Sequence, residues 1–440
     1  QPFFHMQSFG MSHESSLHFK WGQIDREALK TDPATVELPP YFPDTPLFRY
    51  TQAFYHDRMT VIDNQIGKVV EQLKQDGLFE NTIIFYFGDH GGVLPRSKGY
   101  IYEAGLHVPL VIRFPEKYKH LFATAQGVRE DGFVSFIDFS PTVLNLAGLD
   151  VPESMDGKPF AGEGVTPESL AARDEAFGYA DRFDERYEFA RSLRKGKYKY
   201  IRAYEHFYPD SLQNNYRYRM LAFSQWRELN SKGELNEAQS HFFHAKPVEL
   251  LFDVEADPNE VVNLAGMAAH QSVLMDLRGR LRDKMKQIND LSLFPENQMI
   301  DLALQNGIGF GQERSAEIED LLDIVDLALL PWEQARKKLQ RALKSNNPRV
   351  RYWGVTACAA FGDKIESLLT ALKPLLADSD LQVQIRTAEV LGSLHAVEPQ
   401  QTIYRVLAKS DSNAVAVAAM NAIVFLRDHH GYEFKVNASM

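Results

Sequence analysis

Two separate segments of the sequence carry side chains suited to chemistry on a charged ester. The first, QPFFHMQSFGMSHESS, has the pattern of a strand over Pro2 to Phe9 and then a polar loop that contains His13. The second, TIIFYFGDHGGVLPRSKGYIYEAGLHVPLVI, contains Asp89, His90 and Lys98. Together they offer a proton donor in His13 and a hard metal ligand in Asp89, with a second ligand, His90, beside it. Lys98 adds a cation that can bind an anion. An ester that carries negative charge needs a cation to gather its oxygens and an acid for its leaving oxygen, so this set predicts metal-assisted hydrolysis.

Composition narrows the class of protein. The chain has 440 residues, enough for two or three domains, and its 44% hydrophobic and 24% charged residues are typical of globular proteins. A net charge of −11 without any Lys/Arg-rich run predicts that nucleic acid is not a partner. The single cysteine, Cys358, excludes internal disulfides and cysteine-based zinc sites. No stretch approaches the roughly 18 to 20 apolar residues of a membrane span, so we expect no transmembrane segment.

Residues 1–170 read as alternating helices and strands. Apolar residues recur at helical spacing over residues 50–76, and short strands are predicted at Thr82 to Phe87, a buried-type strand, and Val108 to Phe114. Alternation of this kind is typical of an α/β sheet with helices on its faces. Ligands in such sheets bind beyond the carboxyl ends of strands, which is where the Asp89–His90 pair stands.

The pattern changes in residues 171–298. The segments FARSLRKGKYKYIRAY and ELLFDVEADPNEVVNLA predict antiparallel strands joined by polar turns, and residues 270–288 predict an amphipathic helix. We therefore expect a smaller α+β subdomain with an antiparallel sheet. Residues 299–330 are interpreted as a helical linker.

An internal repeat marks residues 331–440. Val350, Val383 and Val415 lie 33 and 32 residues apart, and the same register relates Cys358 to Leu391 and Ile423. Each unit follows a polar break. A repeat of this length predicts an α-helical, HEAT-like solenoid in which each hairpin buries one face on the next.

Five segments, taken in order, give residues 1 to about 298 a specific family resemblance. They resemble the carboxy-terminal two-thirds of a type I sulfatase of the alkaline-phosphatase-like superfamily. The matching segments are PFFHMQSFGMSH, YHDRMTVIDNQIGKVVEQLKQDGLFENTIIFYFGDHG, SKGYIYEAGLHVPLVI, FVSFIDFSPTVLNLAGLDVP and ELLFDVEADPNEVVNLA. The resemblance implies an alkaline-phosphatase-like sandwich, incomplete at its amino terminus, in the first 170 residues.

The resemblance also implies roles for the candidate residues. Asp89 matches a metal-binding aspartate, and His90 matches the ligand position beside it. Lys98 matches a lysine that contacts sulfate, and His13 a histidine that contacts sulfate and can protonate the leaving oxygen. The implied metal is Ca²⁺; because calcium prefers oxygen ligands, histidine at position 90 leaves another divalent metal open.

Several parts that the resemblance implies do not occur in the chain. Sulfatases use a formylglycine made from the cysteine or serine of a C/S-x-P-S-R motif, and neither form is present; Cys358 lies in CAAFG. The paired aspartates and the lysine/histidine pair that complete such a site are also missing. We therefore expect an amino-terminally truncated sequence rather than a natural pseudoenzyme, and a chain that alone binds an anion without turnover.

Three functions follow from these features. The leading hypothesis is a sulfuric ester hydrolase that removes O- or N-sulfate from a sulfated carbohydrate, in the periplasm or outside the cell by family resemblance. The first alternative is a phosphodiesterase or phosphonate hydrolase of the same superfamily. The second is a catalytically dead scaffold that binds protein partners through the helical repeats.

Overall fold

The computed structural model describes residues 2–435, and within that range it contains two antiparallel β-sheets surrounded by helices. The smaller sheet pairs β1 (Ile84–Phe87) with β2 (Leu110–Arg113), with Ile84 opposite Arg113. The larger sheet has the strand order β3–β4–β5–β6. Its strands are β3 (Glu175–Phe183), β4 (Arg186–Lys195), β5 (Tyr198–Ala203) and β6 (Glu249–Asp253).

Helices occupy most of the remaining chain. Those before β6 are α1 (Pro46–Gln75), α2 (Glu103–Leu106), α3 (Phe139–Leu146), α4 (Pro167–Ala171), α5 (Leu221–Ser231) and α6 (Glu237–Ser240). Those after it are α7 (Gln271–Gln287), α8 (Glu296–Gln298), α9 (Gly307–Glu313), α10 (Ser315–Val325), α11 (Trp332–Ala342), α12 (Pro348–Cys358), α13 (Leu369–Leu372), α14 (Leu381–Ser393), α15 (Gln400–Lys409) and α16 (Asn413–His430). None of the helices in the described range is both long and apolar enough to cross a membrane.

The helix predicted over residues 50–76 is confirmed, but α1 begins earlier, at Pro46. The Thr45 hydroxyl accepts a hydrogen bond from the Phe48 N–H, and proline at the first helical position leaves no amide unsatisfied there. The helix ends at Gln75, and Gly77 follows with φ +67°. That left-handed conformation favours glycine and turns the chain toward β1.

The strand predicted over Pro2 to Phe9 is wrong. These residues form no regular secondary structure, and Phe3, Phe4 and Met6 are 56%, 76% and 76% exposed. Alternating apolar residues form a strand only where a neighbouring strand takes up the backbone hydrogen bonds and a core covers one face. Among the described residues, no strand pairs with this segment and no core covers one of its faces.

The two short strands are confirmed with narrower bounds, Ile84–Phe87 and Leu110–Arg113. The burial expected of the first is not found, because every residue of β1 is only partly buried. One side of the strand packs on aromatic rings that include Phe139 and Phe160. β2 is its one partner strand among residues 2–435.

The antiparallel sheet predicted after residue 171 is confirmed, as is the helix predicted over residues 270–288. α7 lays its apolar side on the sheet, where it joins a core with β4 and β5. The buried residues at this contact are Phe189, Leu193, Tyr200, Leu274, Leu277, Leu281 and Met285.

Helices α10 to α14 share that core, and α15 and α16 pack in a second one with α14 and the loop after β5. α12 packs between α10 and α14, and α14 packs against α16, while α11 lies on α12 and α15 on α14 and α16. Val350, Val383 and Val415 are each the third residue of their helix, as the repeat register predicts. Cys358 is fully buried, and burial raises the pKa of its thiol to about 12.

Candidate functional site

Asp89 and His90 follow β1 directly, at the start of a folded loop that runs to residue 107. The Asp89 carboxylate is 86% exposed. His90 Nδ1 lies 2.7 Å from the Gly91 carbonyl oxygen, to which it donates a hydrogen bond. In the neutral ring this bond places the proton on Nδ1 and leaves a lone pair on Nε2, which lies 3.6 Å from Asp89 Oδ1.

This pair fits a divalent cation as part of its coordination shell. A carboxylate oxygen and an imidazole nitrogen at that separation can bind one metal ion side by side, and the backbone bond to Gly91 orients the ring. In the described range, no group of three or more His, Cys, Asp or Glu side chains is placed to hold a metal ion. Asp89 and His90 thus offer two ligands, where Ca²⁺ takes six to eight.

Lys98 lies on the same loop, which is folded back on itself. The Lys98 N–H donates to the Gly92 carbonyl at 2.8 Å, and the Gly91 N–H donates to the Gly105 carbonyl at 2.9 Å. A Cβ on Gly91 would overlap the main chain of Ala104, so this close approach requires glycine. The structure therefore joins the predicted metal ligands and Lys98 on one loop with a fixed backbone.

His13 lies on a different segment, at the amino-terminal cap of a short 3₁₀-helix, Glu14–Leu17. Its Nδ1 accepts a hydrogen bond from the Ser15 N–H at 3.3 Å and lies 2.9 Å from Ser15 Oγ. An Nδ1 that accepts a bond leaves the proton of the neutral ring on Nε2. His13 and His90 thus hold opposite tautomers: His13 presents a proton, and His90 presents a lone pair.

The segment of His13 reaches the Lys98 loop through two buried residues. Glu14 and Arg217 are each 2% exposed, and Glu14 Oε1 lies 3.9 Å from Arg217 Nε. A guanidinium N–H of Arg217 also donates to the Lys98 carbonyl oxygen. Burial raises the pKa of the Glu14 carboxyl, and the charges of Arg217 and Lys98 partly oppose that rise.

Sequence reasoning missed both of these residues. The sequence feature that could have indicated Glu14 is its place directly after a candidate catalytic histidine. The same pattern also fits a surface ion pair between Glu14 and His13. Arg217 lies in YRYRM, far along the chain, and nothing in its neighbours marks it. Long-range contacts between irregular segments leave no periodic pattern to read.

Two protein-family models match the amino-terminal part of the chain. Residues 1–149 match the sulfatase family model, and residues 88–216 match the model of the carboxy-terminal part of N-sulphoglucosamine sulphohydrolase. Both models include Asp89, His90 and Lys98; the first also includes His13. The second ends one residue before Arg217.

Individual relatives cover more of the chain. An ulvan-active sulfatase of Formosa agariphila is 35% identical over 339 residues, which is 70% of this chain and 55% of that protein. An N-acetylglucosamine-6-O-sulfatase of Bacteroides thetaiotaomicron is 27% identical over 54% of this chain and 36% of that protein. The chain thus spans about half, or less, of the length of these curated relatives.

A solved complex of a protein with its substrate D-glucosamine-2-N,6-O-disulfate shares 23% identity with the chain. The superposition has a TM-score of 0.39 and covers 55% of this chain and 42% of that one. Residues 1–216 of this chain are thus similar to sulfatases by both family models, and the similarity to the curated sulfatases extends over up to 70% of the chain.

Proposed function

We propose that this chain is part of a metal-dependent sulfatase that removes sulfate from a sulfated carbohydrate. The observation that carries the proposal is the pair of histidines with opposite tautomers, one beside the Asp89 carboxylate and one joined to the Lys98 loop through Glu14 and Arg217. Two curated relatives that are named for ulvan and for N-acetylglucosamine-6-sulfate support a carbohydrate substrate.

Each residue has one task in this proposal. Asp89 Oδ1 and His90 Nε2 hold a divalent metal, Ca²⁺ or another, which polarises the sulfate oxygens when it is bound. Lys98 binds a sulfate oxygen with its ammonium group. His13 presents its Nε2 proton to the ester oxygen that leaves, a step that contributes about 10² to 10⁴-fold in general acid catalysis.

The proposal includes a formylglycine as the nucleophile. Residues 1–440 contain no C/S-x-P-S-R motif. We therefore assign the nucleophile and the remaining metal ligands to polypeptide beyond these 440 residues, and we expect the present chain alone to bind an oxyanion without turnover. An export route to the periplasm or the medium remains a prediction of the same resemblance.

Sulfate release by the product of the intact gene tests the proposal. The substrates are ulvan oligosaccharides, glucosamine 6-sulfate, glucosamine N-sulfate, a phosphodiester and a phosphonate monoester, with released anions measured by ion chromatography. We expect sulfate from at least one sulfated sugar, abolished by chelation and by Asp89→Asn, and unchanged by Lys68→Ala at an exposed position of α1. Faster release of a phosphorus ester's product would overturn the assignment in favour of a phosphodiesterase or phosphonate hydrolase.

We also propose that residues 331–440 form a HEAT-like solenoid that packs on the larger sheet. The support is the sequence repeat and the side-by-side packing of α12, α14 and α16, whose common face turns to the sheet and the loop after β5. In this arrangement a protein partner would bind the opposite face, where α11 and α15 lie. The test uses a protein partner that copurifies with the chain. We expect its binding to be lost when exposed side chains of α15 are replaced.

A further inference from the structure

Arg217 lies where the two segments of the candidate site, those of His13 and Lys98, meet. It contacts Glu14, the residue after His13, through the 3.9 Å approach of Nε to Oε1, and it donates to the main-chain carbonyl of Lys98. We propose that Arg217 is a positioning residue that holds His13 and Lys98 around the same oxyanion. This inference rests on the proposed function, to which it adds a residue and a test.

The contact with Glu14 fixes the backbone next to His13. Glu14 is 2% exposed, and its second carboxylate oxygen, Oε2, has no hydrogen-bond partner among residues 2–435. A buried carboxylate without a nearby cation is costly, so displacement of Glu14 from Arg217 is opposed. His13 immediately precedes Glu14 and caps the helix that Glu14 begins, so its ring can move little while Glu14 stays in place.

The contact with Lys98 depends on the shape of the chain at Gly99. Gly99 has φ +74°, and a Cβ there would overlap both the Arg217 guanidinium and the Phe183 ring. The guanidinium carbon lies 3.9 Å from the Phe183 ring centroid and 4.5 Å from that of Tyr100. The loop is therefore shaped to admit a flat guanidinium against the Lys98 carbonyl.

Arg217 is itself anchored to the larger sheet. Its N–H donates to Asn214 Oδ1 at 2.9 Å, and the Asn214 amide group donates to the Phe183 carbonyl at 3.4 Å and to Asp184 Oδ2 at 3.3 Å. Phe183 ends β3. The segments of His13 and Lys98 are thus aligned through one side chain that the end of β3 supports.

Arginine suits this position because its planar fork reaches Glu14 and the Lys98 carbonyl at once. A lysine has one compact ammonium group and can satisfy only one of them. Arg217→Lys keeps the buried positive charge and removes the bridge, so it separates alignment from charge. Arg219→Lys is the matched control, because Arg219 is exposed on the same short 3₁₀-helix, Arg217–Arg219.

The experiment measures binding of inorganic sulfate to the full 440-residue chain in the presence of CaCl₂. Calorimetry gives the Kd, and the Hε1 resonance of His13, identified by its loss in His13→Asn, reports whether bound sulfate reaches that ring. In the unmutated chain we expect added sulfate to shift this resonance, and we expect the titration of that shift to give the same Kd as calorimetry. In Arg217→Lys we expect Kd to rise at least about tenfold and the His13 response to disappear, while Arg219→Lys behaves as the unmutated chain.

If folded Arg217→Lys has an unchanged Kd and an unchanged His13 response, the inference about Arg217 is wrong. The proposed function is not affected by that result. Should that variant fail to fold, Gly99→Ala carries the same test, because a methyl group there displaces the guanidinium and retains its charge. A His13 response that survives in Gly99→Ala contradicts the inference. Absence of sulfate binding by the unmutated chain would instead overturn the proposed function itself, and the inference with it.

Discussion

β1 and β4 belong to one chain but are packed in different ways. All four residues of β1 are apolar, and each is only partly buried. β4 contains three arginines, and most of its residues are buried. β4 lies between β3 and β5 with α7 packed over it, whereas β1 pairs with β2 and packs on a small aromatic cluster. The extent of burial follows the number of covering elements rather than the polarity of the strand.

Two of the three arginines of β4 are buried, and each of these has a carboxylate partner. Arg186 pairs with Glu188, and Arg191 pairs with Asp290 at 2.7 Å. A buried guanidinium is tolerated only when its charge and its N–H groups are satisfied in this way. We therefore expect β4 and the elements that cover it to contribute more to stability than β1 and β2, while the loop after β1 carries side chains proposed for the chemistry.

The largest effect is expected for Trp353→Ala in α12. Trp353 is 2% exposed, its ring lies 5.6 Å from that of Phe189 in β4, and its Nε1–H donates to the Leu293 carbonyl at 2.7 Å. Removing a ring so enclosed should lower the free energy of unfolding by about 3–5 kcal/mol. Phe87→Ala in half-buried β1 should cost less than half as much; equal losses in urea titrations would refute the contrast.

Lys98→Ala should affect chemistry and leave stability unchanged. Lys98 lies on a loop and makes no ion pair among the described side chains. In the product of the intact gene, loss of a cation that stabilises transition-state charge should lower kcat by about 10²–10³-fold. The same variant should unfold within about 0.5 kcal/mol of the unmutated protein. A large loss of stability with intact sulfate release would reverse the roles assigned to the two regions.

Glu389 gives the carboxy-terminal region a pH dependence. It lies in a buried cluster with Arg386, Tyr208 and Glu205, and burial raises the pKa of its carboxyl from 4.5 to about 7, against the attraction of Arg386. The folded protein therefore keeps this proton at a pH where the unfolded chain has lost it. Through this residue, stability should fall by up to about 3 kcal/mol as the pH rises from 4.5 to about 7.

Glu389→Gln isolates that contribution, because glutamine keeps the shape and an acceptor for the Tyr208 hydroxyl. The difference in Tm between the variant and the unmutated protein should move in the variant's favour between pH 4.5 and 7 and then level off. His206, whose buried ring has its pKa lowered to about 3, contributes equally to both proteins and cancels in the difference. A difference independent of pH would show that folding does not raise the pKa of the Glu389 carboxyl.

The smallest effect is expected for Phe4→Ser. Phe4 is 76% exposed on a segment without regular structure, so its replacement should change the free energy of unfolding by less than about 0.5 kcal/mol. A loss of 2 kcal/mol or more would show that residues 2–9 are packed in solution. Such a loss would support the strand predicted from sequence over Pro2 to Phe9.

Periodic patterns predicted the parts of this structure that depend on local sequence. The helices at Pro46–Gln75 and Gln271–Gln287, and the register of Val350, Val383 and Val415, follow from apolar spacing and end signals. The pattern at Pro2 to Phe9 failed because strand formation depends on a partner that the segment itself does not specify.

In the candidate site, too, some features depend on local sequence and others on distant contacts. The closeness of Asp89, His90 and Lys98 could be predicted from sequence because they share one short loop after a strand; the roles that the family resemblance implies for them stay a prediction. Their connection to His13 could not, since it depends on Arg217, a residue more than a hundred positions from either segment that is recognised only from its contacts. Tautomers likewise depend on the backbone groups beside each ring, Ser15 N–H for His13 and the Gly91 carbonyl for His90.

A crystal structure of the chain with inorganic sulfate and Ca²⁺ tests the central claim most directly. We expect one sulfate ion with an oxygen within hydrogen-bonding distance of Lys98 Nζ and of His13 Nε2, beside a metal ion held by Asp89 Oδ1 and His90 Nε2. A sulfate ion that Lys98 binds while the His13 ring faces another side of the molecule would contradict it.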